Sequence, residues 1–245
     1  MSKIAYIQKY KGEFPAPCTY SAWEGLKFLG YDCRFFEEAE LPSLPLTRDT
    51  LVVGWVRVVQ KALAQIGATK PEPLDYPESL RPHFGRSIRR STLAALRSTS
   101  HFHSIFIKPI EHKLFTGHIL ETYADFEETN DFPGDTPIWV SDVVDFVSEW
   151  RCFVHNGSLV GIKHYLGDPW VLPNKPTLYT MKYDYEEAGS PSAYSLDVGI
   201  TADGRTRLVE VNDAFALGNY ALSSLTYVEM LIDRWHELVS TPPSE

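Results

Sequence analysis

The residues of this chain whose types and spacing could do chemistry are concentrated in Ser195 to Asn219, SLDVGITADGRTRLVEVNDAFALGN. Two runs of alternating apolar residues flank Asp203-Gly204, a pair that tolerates the positive φ of a hairpin turn. With those two residues at the centre of a two-residue turn, Ala202 pairs with Arg205, Asp197 stands opposite Glu210, and Ser195 stands opposite Asn212. Side chains alternate along a strand, so Asp197, Glu210 and Asn212 share one face. Leu196, Val198, Ile200, Val209 and Val211 share the other, which belongs in a core. On the polar face the two opposed carboxylates repel, and a cation between them removes the repulsion. Two carboxylates and an amide are hard oxygen ligands suited to Mg²⁺, which takes a few protein oxygens together with substrate phosphates. On this reading the empty hairpin is strained by its acids, and Asp197→Asn leaves the empty protein at least as stable. The plainer alternative is a solvated face on which the acids never meet, and a three-residue loop would break the register.

Two further stretches carry candidate chemistry. Phe106-Ile107-Lys108-Pro109 ends an apolar strand on a lysine, which must reach water or an anion. Glu149-Trp150-Arg151-Cys152-Phe153-Val154 leads into Asn156-Gly157, a strong hairpin signal, with Lys163 on the returning arm. In the simple register Lys163 faces Trp150, so a bulge or a twist is needed to bring Lys163 and Arg151 to one site. Each of these charged residues has a plain alternative in salt bridging across the strands.

Asp197-Val198-Gly199, then Val209-Glu210-Val211-Asn212-Asp213-Ala214, resembles the metal-binding hairpin of the ATP-grasp superfamily. The Phe106–Pro109 and Glu149–Val154 stretches resemble further ATP-grasp motifs and occur in the order that superfamily has. The whole is most similar to a small branch of amide-bond ligases in which a usual arginine is replaced by lysine, here Lys163. The resemblance covers roughly residues 75 to 238, and Asp75-Tyr76-Pro77 is part of it.

The resemblance implies an α+β ATP-grasp fold holding ATP and Mg²⁺ between two subdomains. Asp197, Glu210 and Asn212 are then the metal ligands, and Lys108 contacts nucleotide phosphates. The Thr116-Gly117 loop closes over the phosphates, with one glycine where the superfamily has more. Ser141, Asp142 and Val144 hold adenine through backbone groups, and Glu149 reaches the ribose. Arg151 and Lys163 act on the transferring phosphoryl group. The implied activity is a carboxylate–amine ligase forming an amide or peptide bond through an acyl phosphate, on small-molecule or peptide substrates. The rival readings are a nucleotide-binding module serving a partner protein, and a kinase-like phosphoryl transferase.

The elements that position these residues read as two parts. Residues 1–80 form an N-terminal α/β unit of the kind that precedes ATP-grasp domains. It has strands near Lys3–Gln8, Tyr31–Phe36 and Leu51–Val53, and helices ending at Gly30 and Gly67. Four prolines between Pro71 and Pro82 mark a linker or crossing segment. Residues 81–245 form the nucleotide-binding and catalytic part. It opens on a basic run, Arg81, Arg86, Arg89, Arg90 and Arg97, in a helix-like segment beginning near Arg86, read as a solvated face or an anion site. Thr180–Ala188 reads as a helix, Leu222–Val239 as a final amphipathic helix, and the tail TPPSE as frayed.

Composition bounds the function. Of 245 residues, 44% are hydrophobic and 22% charged, as in an ordinary globular protein. A net charge of -9 argues against nucleic acid as a partner. Cys18, Cys33 and Cys152 form no metal-binding spacing, and with no apolar run of membrane-spanning length the expected setting is the cytoplasm. GxxxxGK[ST] and GxGxxG loops are absent, so phosphate must be held in another way.

Overall fold

The computed structural model describes residues 3–99, 103–111 and 114–240. The TPPSE tail and the first two residues of the chain lie outside them. Three sheets organise the chain. The first is parallel, with β1 (Ile4–Lys9) between β2 (Asp32–Glu37) and β3 (Leu51–Val53). α1 (Pro17–Phe28) and α2 (Val56–Gln65) make the crossovers. Their buried Ala22, Leu26, Val59 and Leu63 pack with Ile7 and Val52 of the sheet. α5 (Ser224–Ser240), the last helix, joins the same core through Val228, Leu231 and Trp235.

The second sheet is antiparallel in the order β4 (Ile88–Thr92), β7 (Pro137–Asp142), β5 (Ile105–Pro109), β6 (His118–Leu120). The expected helix near Arg86 is therefore a strand, with only the short α3 (Leu93–Arg97) following it. The reason is tertiary: β4 pairs along its whole length with β7. The basic run disperses accordingly. Arg81 pairs with Glu78 in solvent, Arg90 lies over the Trp139 ring, and Arg97 binds the Thr129 carbonyl.

The third sheet carries β11 (Thr206–Asp213), β10 (Ala193–Thr201), β8 (Phe146–His155) and β9 (Ser158–Gly167), in that order and all antiparallel. Its apolar face, with Trp150, Cys152, Leu196, Val198 and Leu208, packs on α4 (Lys175–Glu187) through Leu178 and Met181. α4 starts five residues before the expected helix, because Asn174 caps it and Pro176 occupies its first turn. Among the described residues no helix is long and apolar enough to cross a membrane.

The central hairpin reaches the expected register by a different route. Thr201 donates its N–H to the Arg205 carbonyl, so the turn holds three residues, Ala202, Asp203 and Gly204, with Gly204 at a φ of 79°. That loop alone would shift every pair by one. A bulge cancels the shift: Val198 pairs with Leu208 and Asp197 with Glu210, leaving Val209 unpaired. Leu208 thus takes the core position expected of Val209, and Val209 turns into the cleft. Arg86 holds the bulge in place, donating to the Leu208 carbonyl at 2.7 Å and the Val209 carbonyl at 2.9 Å.

Candidate active site

A single cross-strand row crosses the third sheet: Glu210, Asp197, Arg151, Lys163. Lys163 falls opposite Arg151 because a second bulge, at Val160, shifts β9 by one residue. Period-two alternation then puts all four side chains on one face, with Asn212 one position further along β11. This face looks across a cleft at β5 of the second sheet, which brings Lys108 to the same place. The Lys108 ammonium lies 2.6 Å from Glu210 Oε2 and 2.6 Å from Asp75 Oδ1.

The acids on this face therefore have counter-ions within the protein. Arg151 grips Asp197 with two parallel bonds, Nε to Oδ1 at 2.8 Å and Nη2 to Oδ2 at 2.6 Å. The Asn212 amide bridges the acids, donating to Asp197 Oδ2 at 3.1 Å and Glu210 Oε1 at 3.0 Å. The expectation of an unrelieved repulsion in the empty hairpin is thus corrected. The Asp197 side chain is 4% exposed, so Asp197→Asn would break a buried pair rather than relieve a crowded one.

Protonation states follow the same geometry. Burial pushes the Asp197 carboxyl up against the pull of Arg151. Burial also pushes Glu210 up, but Lys108 and Asn212 outweigh it and hold that carboxyl below its usual range. Burial works against the charge of Lys108, yet Glu210, Tyr76 and Asp75 together hold it above its ordinary value. Burial likewise opposes the charge on Arg151, and Asp197 more than offsets it.

Two cavities meet at Lys108 and Glu210. The first, of about 250 Å³, is a slot walled by Phe106, Val144, Phe146 and Val209. Ser141, Asp142 and Glu149 reach it as well. The Asp142 N–H is spent on the Ser87 carbonyl, and the Asp142 side chain accepts from the Ser87 N–H. Glu149 accepts from the Tyr165 hydroxyl at 2.7 Å. The second cavity, of about 640 Å³, is polar and is lined by Lys108, Glu210, Asn212, Thr116 and Gly117. A Cβ at Gly117 would come within 2.6 Å of the Phe106 ring and 3.0 Å of Lys108 Cβ, so the loop crosses the lysine at glycine distance.

The donor set tests whether a hard cation fits. Glu210 and Asn212 reach the polar cavity and offer oxygen ligands. Asp197 has both carboxylate oxygens on Arg151, so it can join a cation only by releasing that arginine. The structure brings the three expected ligands together and orients two of them toward the cavity. Among the described residues no cluster of three His, Cys, Asp or Glu side chains forms a preassembled metal site.

Comparison with known proteins decides the family. A family of ATP-grasp domains, the second family of its clade, matches residues 83–230. The chain belongs to that family. The ATP-grasp fold is also that of similar solved structures. D-alanine–D-alanine ligase from Bacillus anthracis complexed with ATP has a TM-score of 0.57 at 13% identity, covering 97% of this chain and 97% of its own. A RimK domain ATP-grasp protein from Sphaerobacter thermophilus DSM 20745 has a TM-score of 0.56 at 16% identity, covering 99% and 100%. The ATP-grasp ligase PsnB, complexed with precursor peptide PsnA2 and AMPPNP, has a TM-score of 0.51 at 10% identity, covering 96% and 97%. No curated protein sequence matches the chain.

Sequence reasoning misses several residues of this ATP-grasp site. Asp75 lies before the matched region, is 7% exposed, and has a left-handed φ of 42°. Besides Lys108 it accepts the Trp139 indole N–H at 2.8 Å, and its carbonyl accepts the Val211 N–H. It therefore ties β7, β5 and the hairpin at one point. The Asp75-Tyr76-Pro77 triplet is the signal for it. Tyr220, stacked at 4.6 Å over the Arg151 guanidinium, gives no signal in the sequence.

Proposed function

We propose that this chain is an ATP-dependent carboxylate–amine ligase working through an acyl phosphate. The observation that carries the reading is the row Glu210–Asp197–Arg151–Lys163, facing Lys108 where the apolar and polar cavities join. The apolar slot has the dimensions and walls for an adenine ring, and the Val143-Val144 backbone at its mouth has no partner among the described residues. Lys108 and the Thr116-Gly117 loop would then border the phosphates. Membership of an ATP-grasp family and the solved complexes of the same fold with ATP and AMPPNP support the nucleotide reading.

Glu210 and Asn212 would hold Mg²⁺, with Asp197 as a further ligand when Arg151 turns to substrate. Bound there, the metal would neutralise phosphate charge and so favour phosphoryl transfer. The chain's own cations do the rest. Lys108 binds phosphate oxygens, and the exchange of Asp75 and Glu210 for phosphate as its partners keeps it charged throughout. Arg151 and Lys163 lie side by side on the sheet, where charge moves from the γ-phosphate to the acyl phosphate. Lys163 has no ion-pair partner among the described residues, so its charge is available for that step.

Incubation with ATP, Mg²⁺ and pooled acids and amines tests the proposal. ADP, phosphate and a new amide mass are expected together, with Lys163→Ala lowering kcat more than ATP affinity. ADP with a phosphorylated acceptor and no amide would mean a phosphoryl transferase. Tight ATP binding without turnover would mean a binding module.

A further inference from the structure

A third cavity, of about 290 Å³, opens on the far side of Asn212 from the phosphate cavity. It lies where the N-terminal α/β unit meets the third sheet. Val56, Phe215, Leu217 and Tyr220 give it apolar walls, and Arg151 and Asn212 form its polar floor. Arg151 has spent Nε and Nη2 on Asp197, but its Nη1 has only the Gly218 carbonyl, at 3.4 Å. Val56 is the first residue of α2, and the N-cap residue Trp55 provides no side-chain acceptor. The first-turn N–H groups and the positive end of that helix therefore add to the guanidinium. Tyr220 and Ala221 are held at left-handed φ values of 42° and 58°, a conformation that persists only where the surroundings enforce it. The result is a small apolar chamber with cationic character at its inner end, next to the phosphates.

Among the described residues the cavity offers no free anion. Asp213 is the one acidic residue of its lining, and that carboxylate is 1% exposed. Its Oδ1 accepts from Arg234 Nε at 2.8 Å and from the Phe215 N–H at 3.2 Å, and its Oδ2 accepts from Arg234 Nη2 at 2.7 Å. Asp197 behind the floor is likewise committed to Arg151. An ammonium group brought into the chamber would lose its water and gain no counter-charge.

We propose that this cavity selects the acid that is activated. It takes a carboxylic acid with an apolar body and no ammonium beside the carboxylate, and it discriminates against a zwitterionic amino acid. The shared chemistry is met by an N-acylated amino acid or peptide C-terminus and by a simple aliphatic acid. The inference rests on the ligase reading and deepens it. Arg151 Nη1 and the α2 N–H groups hold the carboxylate. A carboxylate oxygen attacks the γ-phosphorus, the bond to the β,γ-bridging oxygen breaks, and ADP leaves. An amine nitrogen then attacks the acyl carbon, expels phosphate and loses a proton.

Hydroxylamine can serve as that amine, so the natural acceptor need not be known. Three acids with the same apolar body are compared with ATP and Mg²⁺: leucine, N-acetyl-leucine and 4-methylpentanoate. Hydroxamate and ADP should form from one or both ammonium-free acids with kcat/KM at least about tenfold above leucine, a factor worth about 1.4 kcal/mol. Preference between those two identifies the acyl-amino or the simple-acid source. Ala216→Asp, which puts a carboxylate on the chamber wall, should shift the preference toward leucine. Leucine reacting as well as the other two, or an unchanged preference in Ala216→Asp, overturns the selection proposal while leaving the ligase reading intact. If no acid reacts, the ligase reading fails first. Calorimetric titration of the same acids into the ATP-loaded protein then decides the cavity separately. Binding of an ammonium-free acid in preference to leucine supports the proposal, and binding of leucine alone, or of none of the three, overturns it.

Discussion

Replacing Lys108 by methionine keeps most of the side-chain volume and removes the charge, and its consequence can be worked from the site. The ammonium is 2.6 Å from Asp75 Oδ1 and 2.6 Å from Glu210 Oε2, and among the described residues it is the one cation between them. Side-chain exposures are 14% for Lys108, 10% for Asp75 and 27% for Glu210. Breaking a buried ion pair by removing one partner costs about 3–5 kcal/mol, because the other charge is left without compensation. Glu210 retains access to water, so the lower end, about 3 kcal/mol, applies. For a chain of this size each kcal/mol moves Tm by about 2–4 °C, giving a fall of about 6–12 °C. Thermal unfolding followed by circular dichroism in nucleotide-free buffer measures it. Mg²⁺ added to the variant should recover part of the loss, since the two carboxylates then face an unclaimed cation position. Asp75→Asn added to Lys108→Met should also recover stability, because it removes one of the stranded charges. A Tm unchanged in Lys108→Met, or a double variant less stable than Lys108→Met alone, would refute the reasoning.

Two further outcomes follow from the same cluster. Glu210 titrates below its usual value of 4.5, so its ionised form stabilises the folded chain above that pH, and the contribution is lost as pH falls through the lower folded value. The Tm gap between wild type and Glu210→Gln should therefore be full at pH 7 and close on acidification toward pH 3, whereas a gap independent of pH would exclude this electrostatic origin. Asp197→Asn should destabilise the empty protein by about 3 kcal/mol or more, because Arg151 is left buried beside an amide, and equal stability in urea unfolding would show that the pair contributes nothing.

The hairpin is legible in the sequence because its alternation is regular and Asp203-Gly204 marks the turn. Its polar register comes out right through two compensating features, the three-residue turn and the Val209 bulge, neither of which leaves a trace in the pattern. Hence Asp197, Glu210 and Asn212 are grouped correctly while Val209 and Leu208 exchange roles. Bulges also explain Lys163, whose place opposite Arg151 depends on an extra residue in β9 that no local rule specifies. The Arg86 segment misleads because closely spaced arginines suit a helix face as well as a strand, and only the pairing of β4 with β7 decides between them. Asp75 and Tyr220 illustrate a different limit. Asp75 meets Lys108 across 33 positions and Tyr220 meets Arg151 across a long stretch of chain, and both rely on left-handed backbone angles that these residue types do not announce. The counter-ions of the acid pair read in the sequence as phosphate or phosphoryl contacts. That they also neutralise the site in the absence of nucleotide emerges only from the assembled sheets.

The central claim is that the cleft between the second and third sheets takes Mg-ATP with its phosphates against Lys108. Calorimetric titration of ATP with Mg²⁺ into wild type and into Lys108→Ala tests it directly. Charged hydrogen bonds of this kind are worth about 1.5–3 kcal/mol. The account predicts saturable 1:1 binding to the wild type and a loss of roughly tenfold to a hundredfold in affinity in the variant. No binding to wild type at millimolar ATP, or equal affinity in the two proteins, would contradict it.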